Sequence, residues 1–451
     1  MSSIHAAQAL TPAGWRPDTR LTIAAGRIAA VETGVPAAPG DERHAVAVPG
    51  MANLHSHAFQ RGMAGLAEIR GPSADSFWSW RELMYRFALG ITPDQLEAVA
   101  AQLYVEMLEA GFTRVGEFHY LHHDTDGRPY ASIAEMAARI AAAAGEAGIG
   151  LTLLPVFYAH SGFGGAPANE RQRRFANDLD AFARLLEGCR QAVRPLGSAI
   201  VGVAPHSLRA ATPAELAAIS ALSPDAPIHI HVAEQVKEVE DCLAWSGARP
   251  VEWLLDHAAI DARWCLVHAT HMTEAETRRL AASGAIAGLC PVTEANLGDG
   301  TFNALSFLRE GGRFGIGSDS NVLIGVADEL RQLEYSQRLL HRSRNVLAAA
   351  GCSSGRTLYD AALAGGGIAL GAEAGLAPGA PADIVTLRAE HPAFVGRDGD
   401  GLLDAWIFAT AAAPIDCVWA GGRKLVEHGR HVGRAPVEQR FRQAMEALTR
   451  S

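Results

Sequence analysis

Lysine is almost absent from this 451-residue chain: it stands only at Lys237 and Lys424, and every other Lys/Arg position is arginine. Cysteine is sparse too. Its six residues, Cys189, Cys242, Cys265, Cys290, Cys352 and Cys417, form no close pair. That excludes a zinc knuckle and a disulfide framework, and reads as reduced, mostly buried thiols. No run reaches the roughly 18 apolar residues of a membrane span. The opening MSSIHAAQALTPAGWRPDTR has no basic stretch leading into an apolar one, so no secretory signal is expected and the cytoplasm is the expected location. Positive charge is also in deficit: a formal net charge of -10 argues against affinity for nucleic acid or anionic membrane surfaces. The residues after Val48 lack a glycine-rich phosphate turn, which weighs against an open dinucleotide-binding sheet.

What is present is the composition of an ordinary globular enzyme, 49% hydrophobic and 20% charged. The length exceeds one usual core, so a large domain with a smaller companion is expected. Residues 21–32, LTIAAGRIAAVE, read as two strands about an Ala-Gly turn. Near the other end, 383–387 and 417–426 read as strands, the second bent around Gly421 and Gly422. These pieces predict a small β-sandwich domain built from both termini, residues 1–47 with 371–435. Between them, 48–370 holds eight apolar runs alternating with helical stretches such as 93–110 and 132–147. The runs are VAVPGMANLHSH, TRVGEFH, LTLLPVFYAH, SAIVGVAPHS, PIHIHVAE, WCLVHATH, AIAGLCPVTEAN and RFGIGSDSN. Eight strand-helix units predict an α/β fold, a (β/α)8 TIM barrel. Residues 436–451 read as an amphipathic helix that packs on its own barrel or on a second copy, and a homodimer is the expected assembly.

Nearly every run ends in a residue able to do chemistry: His55 and His57, Glu117 and His119, His160, His206, His231, His268, Glu294, Asp319. In a barrel those ends converge on one mouth. His55 and His57 are two residues apart on a strand, so both side chains face the same way. His229 and His231 also share a face; His231 is the better ligand because it lies nearer the strand's end and three residues before Glu234. Asp319 ends the eighth run, which neighbours the first in a closed barrel. Three imidazoles and a carboxylate suit one divalent ion, Zn2+ first, with Fe2+ or Mn2+ as alternatives. The lysine deficit matters here. Neither Lys237 nor Lys424 falls at a strand end, so no lysine is placed to carry a carboxylate bridge between two ions, and one metal is expected.

A hydrolytic site also needs a group to carry the proton from water to a leaving nitrogen. Glu234, on the loop after the fifth run, fits that role, and His268 is placed to hydrogen-bond the water or polarise the substrate, with His271 as its competitor. His122, His123, His257, His341, His391, His428 and His431 have no positional argument and read as surface or loop residues.

VPGMANLHSHAFQRGMAGL, HVAEQ, LVHATHMT and GIGSDSN resemble the amidohydrolase superfamily, and GLAPGAPADIVTL with VWAGGRKLV resembles its closing strands. Within it, HSHAFQR, WSWRELMY, GEFHYLHH and APHSLR are most similar to the formimidoylglutamate deiminases. The resemblance spans essentially the whole chain. It implies hydrolysis of N-formimidoyl-L-glutamate to N-formyl-L-glutamate and ammonia in histidine degradation, usually with zinc. It also implies metal ligation by His55, His57, His231 and Asp319, proton transfer by Glu234 with His268 at the water, and Gln60 on the formimidoyl group. Arg81, Tyr120 and Arg209 would hold the two carboxylates of a small dicarboxylate substrate, with His206 in the same pocket. Which of His206 and Arg209 reaches the substrate stays open. Arginine's planar fork suits a carboxylate. The rival expectations are another superfamily deaminase (of guanine or an adenosine derivative), imidazolonepropionase-like ring opening, and a metal-free binding barrel.

Overall fold

A computed structural model describes residues 1–70 and 77–450. Five strands open the chain: β1 (Ser2–Thr11), β2 (Gly14–Ala24), β3 (Arg27–Glu32), β4 (Glu42–Pro49) and β5 (Met51–Ser56). The expected Ala-Gly turn is there, with Ala25 and Gly26 both at positive φ, the conformation a two-residue hairpin with right-handed twist requires. The run around Val48, read as one strand, is two. It breaks at Gly50, where a Cβ would collide with the Thr113 side chain, so β4 stays with the terminal strands while β5 begins a new sheet.

The next strands are β6 (Phe112–His119), β7 (Gly150–Phe157), the small pair β8 (His160–Gly162) and β9 (Ala166–Pro167), then β10 (Ile200–Val201) and β11 (Ala204–Pro205). After them come β12 (Ile228–Val232), β13 (Trp264–His268), β14 (Ile286–Leu289) and β15 (Arg313–Ile316). The SAIVGVAPHS run is thus two short ladders, parted at Gly202 and Val203, rather than one strand. The chain returns through β16 (Ile384–Leu387), β17 (Ile415–Ala420), β18 (Arg423–Glu427) and β19 (Arg430–His431). These join the opening strands in one continuous sheet, ordered β19-β18-β17-β16-β4-β1-β2-β3. Its own core contains Ile4, Leu21, Ile23, Ile28, Ile384 and Trp419.

Apart from the antiparallel pair β8-β9, the middle strands are parallel and form two sheets, β10-β7-β6-β5 with β11 on β7, and β12-β13-β14-β15. Isolated parallel bridges, Val203–Ile228 and Ser207–His231 on one side and Ser56–Asp319 on the other, link the two. Every residue of β6, β12 and β13 is buried, as expected of parallel strands covered on both faces. Leu54 occupies the space that side chains at Gly288 and Gly315 would otherwise take. Beneath it, Ala52, Val267, Ile286, Ala369 and Leu370 make a separate buried cluster.

The helix Ser354–Ala369 lies against β15 and β5 by backbone contact, since a Cβ at Gly365 would strike the Phe314 carbonyl oxygen. The terminal helix, Arg434–Arg450, buries Val437 and Ala444 within the chain and pairs Arg434 with Glu109 and Arg440 with Glu146. The helix thus packs in part on its own chain. Among the described residues no helix is long and apolar enough to cross a membrane, and all six cysteines are unpaired, with only Cys352 exposed. The reading of unassigned histidines needs one correction. His122, His123 and His431 are buried, each with a ring nitrogen at a main-chain carbonyl (Val156, Ala176 and Ala147), so they satisfy loops from inside.

Gly365→Ala is expected to cost about 1–3 kcal/mol by overpacking. Urea unfolding should show a lower midpoint at unchanged slope.

Candidate active site

Backbone pairing brings the first and last middle strands together. The His57 amide donates to the Asp319 carbonyl at 3.0 Å and the Asp319 amide to the His55 carbonyl at 2.9 Å. A buried amide-hydroxyl chain reinforces this: Asn53 donates to Ser318 Oγ at 2.6 Å, Ser318 to Asn321 Oδ1 at 2.6 Å, and Asn321 Nδ2 to the His57 carbonyl at 3.0 Å. Ala233, His268, Ala269, Asp319 and Asn321 all hold positive φ just after, or at the end of, their strands. Non-glycine residues adopt that region at a cost of about 1–3 kcal/mol each, and such strain gathers at functional sites. Here it turns the chain so that side chains face the strand ends.

The four expected ligands meet. His55 Nε2 lies 3.2 Å from His57 Nε2 and 3.1 Å from His231 Nε2. Asp319 Oδ1 is 3.4 Å from His55 Nε2 and 3.2 Å from His57 Nε2. All four donor atoms lie within 4.8 Å of one another and every residue is buried. A tetrahedral ion with bonds of about 2.0–2.1 Å spaces its ligand atoms about 3.3–3.4 Å apart, so the donor set fits a divalent ion. The rings are oriented from behind. His57 Nδ1 meets the Phe118 carbonyl at 2.9 Å and His231 Nδ1 the His206 carbonyl at 3.1 Å, which leaves each Nε2 lone pair facing inward.

The electrostatics agree. Burial pulls the His55 imidazolium down to about 3 and drives that of His231 well below its usual range, so both rings are neutral. Asp319 is buried too, yet hydrogen bonds with His55 and His57 keep its carboxyl well below the ordinary carboxylate range. Neutral rings cannot both keep their lone pairs and donate to that anion. A divalent cation held by these four residues would accept the lone pairs and balance the charge. His229 is not part of this group: its Nε2 meets the Ala369 carbonyl at 2.7 Å, at the opposite end of the strands. Lys237 and Lys424 are away from it as well, paired with Asp241 and with Glu42.

Above the ligands opens a cleft with about 580 Å³ of empty space, and every remaining residue of the expected site lines it: Gln60, Arg81, Tyr120, His206, Arg209, Glu234 and His268. His206 and Arg209 both reach it. Among the described residues the Arg209 guanidinium makes no ion pair or hydrogen bond. Burial disfavours its charge, but Glu238 and Glu234 outweigh that and raise its pKa. Gln60 Nε2 and the Tyr120 hydroxyl are 2.8 Å apart, and Gln60 Oε1 is buried without a partner. Burial pushes Glu234 above the usual carboxylate range, Asp319 adding to the shift while His268 and Arg209 oppose it. His268 Nε2 lies 3.8 Å from both Glu234 and Asp319. Burial pulls the His268 pKa down, but Glu234, Glu294 and Asp319 together prevail and raise it to about 10. Its competitor, His271, does not line the cleft.

Some contributors were not assigned from sequence. Glu294 meets His268 Nδ1 at 3.3 Å and fixes the ring's orientation; its place at the end of a run was the available signal. Glu117 accepts from the Ala58 amide at 2.6 Å and the Tyr104 hydroxyl at 3.1 Å, anchoring the turn between His57 and Gln60. Met84, Tyr85, Tyr158 and Phe175 line the cleft with no sequence signal. Of the strand-end histidines, His119 and His160 stay out of it; His160 pairs with Glu215 at 2.9 Å.

Residues 46–425 match the Amidohydrolase family, and residues 1–45 match the N-terminal domain described as "Formimidoylglutamate deiminase HutF, N-terminal domain". The chain is 53% identical over 452 aligned residues to a formimidoylglutamate deiminase of Pseudomonas aeruginosa, covering 99% of this chain and 100% of that one. A crystal structure of an amidohydrolase from Brucella melitensis superposes with a TM-score of 0.97 at 66% identity, covering 100% of both chains. An adenosine deaminase from Xanthomonas campestris shares the fold at a TM-score of 0.82 and 22% identity, covering 100% of this chain and 98% of that one.

Asp319→Asn removes the anionic donor. Elemental analysis should find about one divalent ion per wild-type chain and a loss of most of it in the variant, with the fold retained by circular dichroism.

Proposed function

The chain belongs to the amidohydrolase family, and from that premise we propose that it hydrolyses N-formimidoyl-L-glutamate to N-formyl-L-glutamate and ammonia, a step of histidine degradation. The observation that carries this reading is the pairing, in one cleft, of a complete four-donor metal cluster with two arginines, Arg81 and Arg209. Metal and proton carrier make the site hydrolytic. Two guanidinium groups suit a small substrate bearing two carboxylates.

Three imidazoles and one carboxylate suit Zn2+, with Fe2+ or Mn2+ as alternatives. Such an ion, when bound, lowers the pKa of a water toward neutrality. We assign the remaining work to the chain. Glu234 accepts a proton from the attacking water as its oxygen bonds to the formimidoyl carbon. His268, held by Glu294, stands at the same point and stabilises negative charge developing on that oxygen. Glu234 then delivers that proton to the amidine nitrogen, takes the second proton from the added hydroxyl and passes it to the same nitrogen, so that the carbon-nitrogen bond breaks, ammonia leaves, and the oxygen remains as the formyl carbonyl. Glu234 suits both transfers because its raised pKa brings it nearer neutrality. Gln60 is assigned to the formimidoyl group, and Arg81, Tyr120, His206 and Arg209 to the carboxylates.

For the architecture, we read the two parallel sheets, linked by isolated bridges on both sides, as one (β/α)8 barrel over 48–370. The sheet from 1–47 and 371–435 is then its small β-sandwich companion, and 436–451 a terminal helix. The unpaired cysteines are consistent with the cytoplasm.

Ammonia release from formimidoylglutamate, compared with guanine and S-adenosylhomocysteine, tests the substrate: turnover only with the first is expected, and turnover only of a purine would refute it. Glu234→Gln should lower kcat by about 10²–10⁴-fold while the ion content stays unchanged.

A further inference from the structure

Tyr158 is buried to 5% exposure, one residue past β7, and faces the cleft. Its backbone is fixed on both sides by Asn177, whose side chain accepts from the Tyr158 amide at 3.2 Å and whose amide donates to the Tyr158 carbonyl at 3.0 Å. The hydroxyl is fixed as well. Gln172 Nε2 lies 2.7 Å from it. The direction of that bond is not free, because Gln172 Oε1 already accepts the Asn169 amide at 2.9 Å. The amide nitrogen must therefore face Tyr158 and donate to it. Arg81 approaches the same oxygen from a second side at 3.4 Å, also as a donor. A phenol oxygen that receives N–H groups has one capacity left, to give away its own proton. Among the described residues, no group accepts it.

We infer that the Tyr158 hydroxyl is a further substrate-binding donor, giving its proton to the substrate carboxylate farther from the reacting carbon. This rests on the dicarboxylate reading above. The ring contacts place it at that end of the cleft: His206 stands 4.9 Å from the metal ligand His231, and Tyr158 lies beyond it, 4.7 Å from His206. Tyr120, by contrast, packs 5.0 Å from His57, directly beside the ligands. Gln172 acts as a positioning residue: it turns the hydroxyl so that an anion is accepted and a hydrogen-bond donor is refused. Selection against amide-bearing analogues follows, because a terminal carboxamide can turn only its oxygen toward Tyr158 and leaves its nitrogen facing Arg81.

The test is steady-state kinetics of Tyr158→Phe with two substrates, N-formimidoyl-L-glutamate and N-formimidoyl-L-2-aminobutyrate, which keeps the near carboxylate and lacks the far one. Losing one hydrogen bond to a charged group is expected to raise KM for the first about tenfold or more, with kcat within about threefold. KM for the second should not move. An equal rise for both substrates, no rise for either, or a fall in kcat alone overturns the inference. Gln172→Met keeps the hydroxyl but lets it rotate, so it covers the case in which the phenylalanine variant does not fold by thermal melting. It should show the same split at smaller size, and absence of a split there is equally decisive. Failure of the wild-type protein to release ammonia from formimidoylglutamate would instead overturn the proposed function, before Tyr158 enters.

Discussion

Three imidazole nitrogens and a carboxylate oxygen converge on one buried point, a donor set that fits a divalent cation, and much of the fold serves to aim them. Burial holds at least two of the rings neutral, while Asp319 stays ionised among them. The arrangement persists because β5 and the end of β15 are bonded through backbone amides and through Asn53, Ser318 and Asn321. Strained residues after β12, β13 and β15 pay into the same geometry, since each turns a functional side chain or its neighbour toward the mouth.

From that point the cleft divides by charge. At the inner end, acidic groups surround His268: Glu234 and Asp319 on one nitrogen, Glu294 on the other. The proposed proton transfer is placed there. Farther from the ligands stand Arg81 and Tyr158, and Arg209 lines the same cleft, suited to an anion. Arg209 interacts with Glu234 and Glu238 across the cleft, so the two ends are electrostatically linked. A substrate with an amidine at one end and carboxylates at the other matches that polarity.

The metal ligands were legible because a strand's period of two is strict: HSH on one face and the choice of His231 over His229 both follow from where a strand ends. The lysine deficit was legible in the same direct way. Tyr158 and Gln172 were not, because their roles come from a fourteen-residue excursion that folds back on itself, and from an amide whose orientation depends on Asn169. Glu294 carried a positional signal but no partner could be named until His268 was placed beside it. The burial of His122 and His123 was hidden for the same reason: loop residues with polar character are buried when main-chain carbonyls satisfy them. The split of β4 from β5 depends on the contact between Gly50 and Thr113, which no local pattern announces.

The central claim is that one ion, held by His55, His57, His231 and Asp319, makes this cleft hydrolytic. Zn2+ titration of metal-depleted protein, with ammonia release from formimidoylglutamate followed at each step, tests it most directly. The account predicts a rate that rises in proportion to bound ion and saturates at one per chain. Full turnover without metal, or saturation only at two ions per chain, would contradict it.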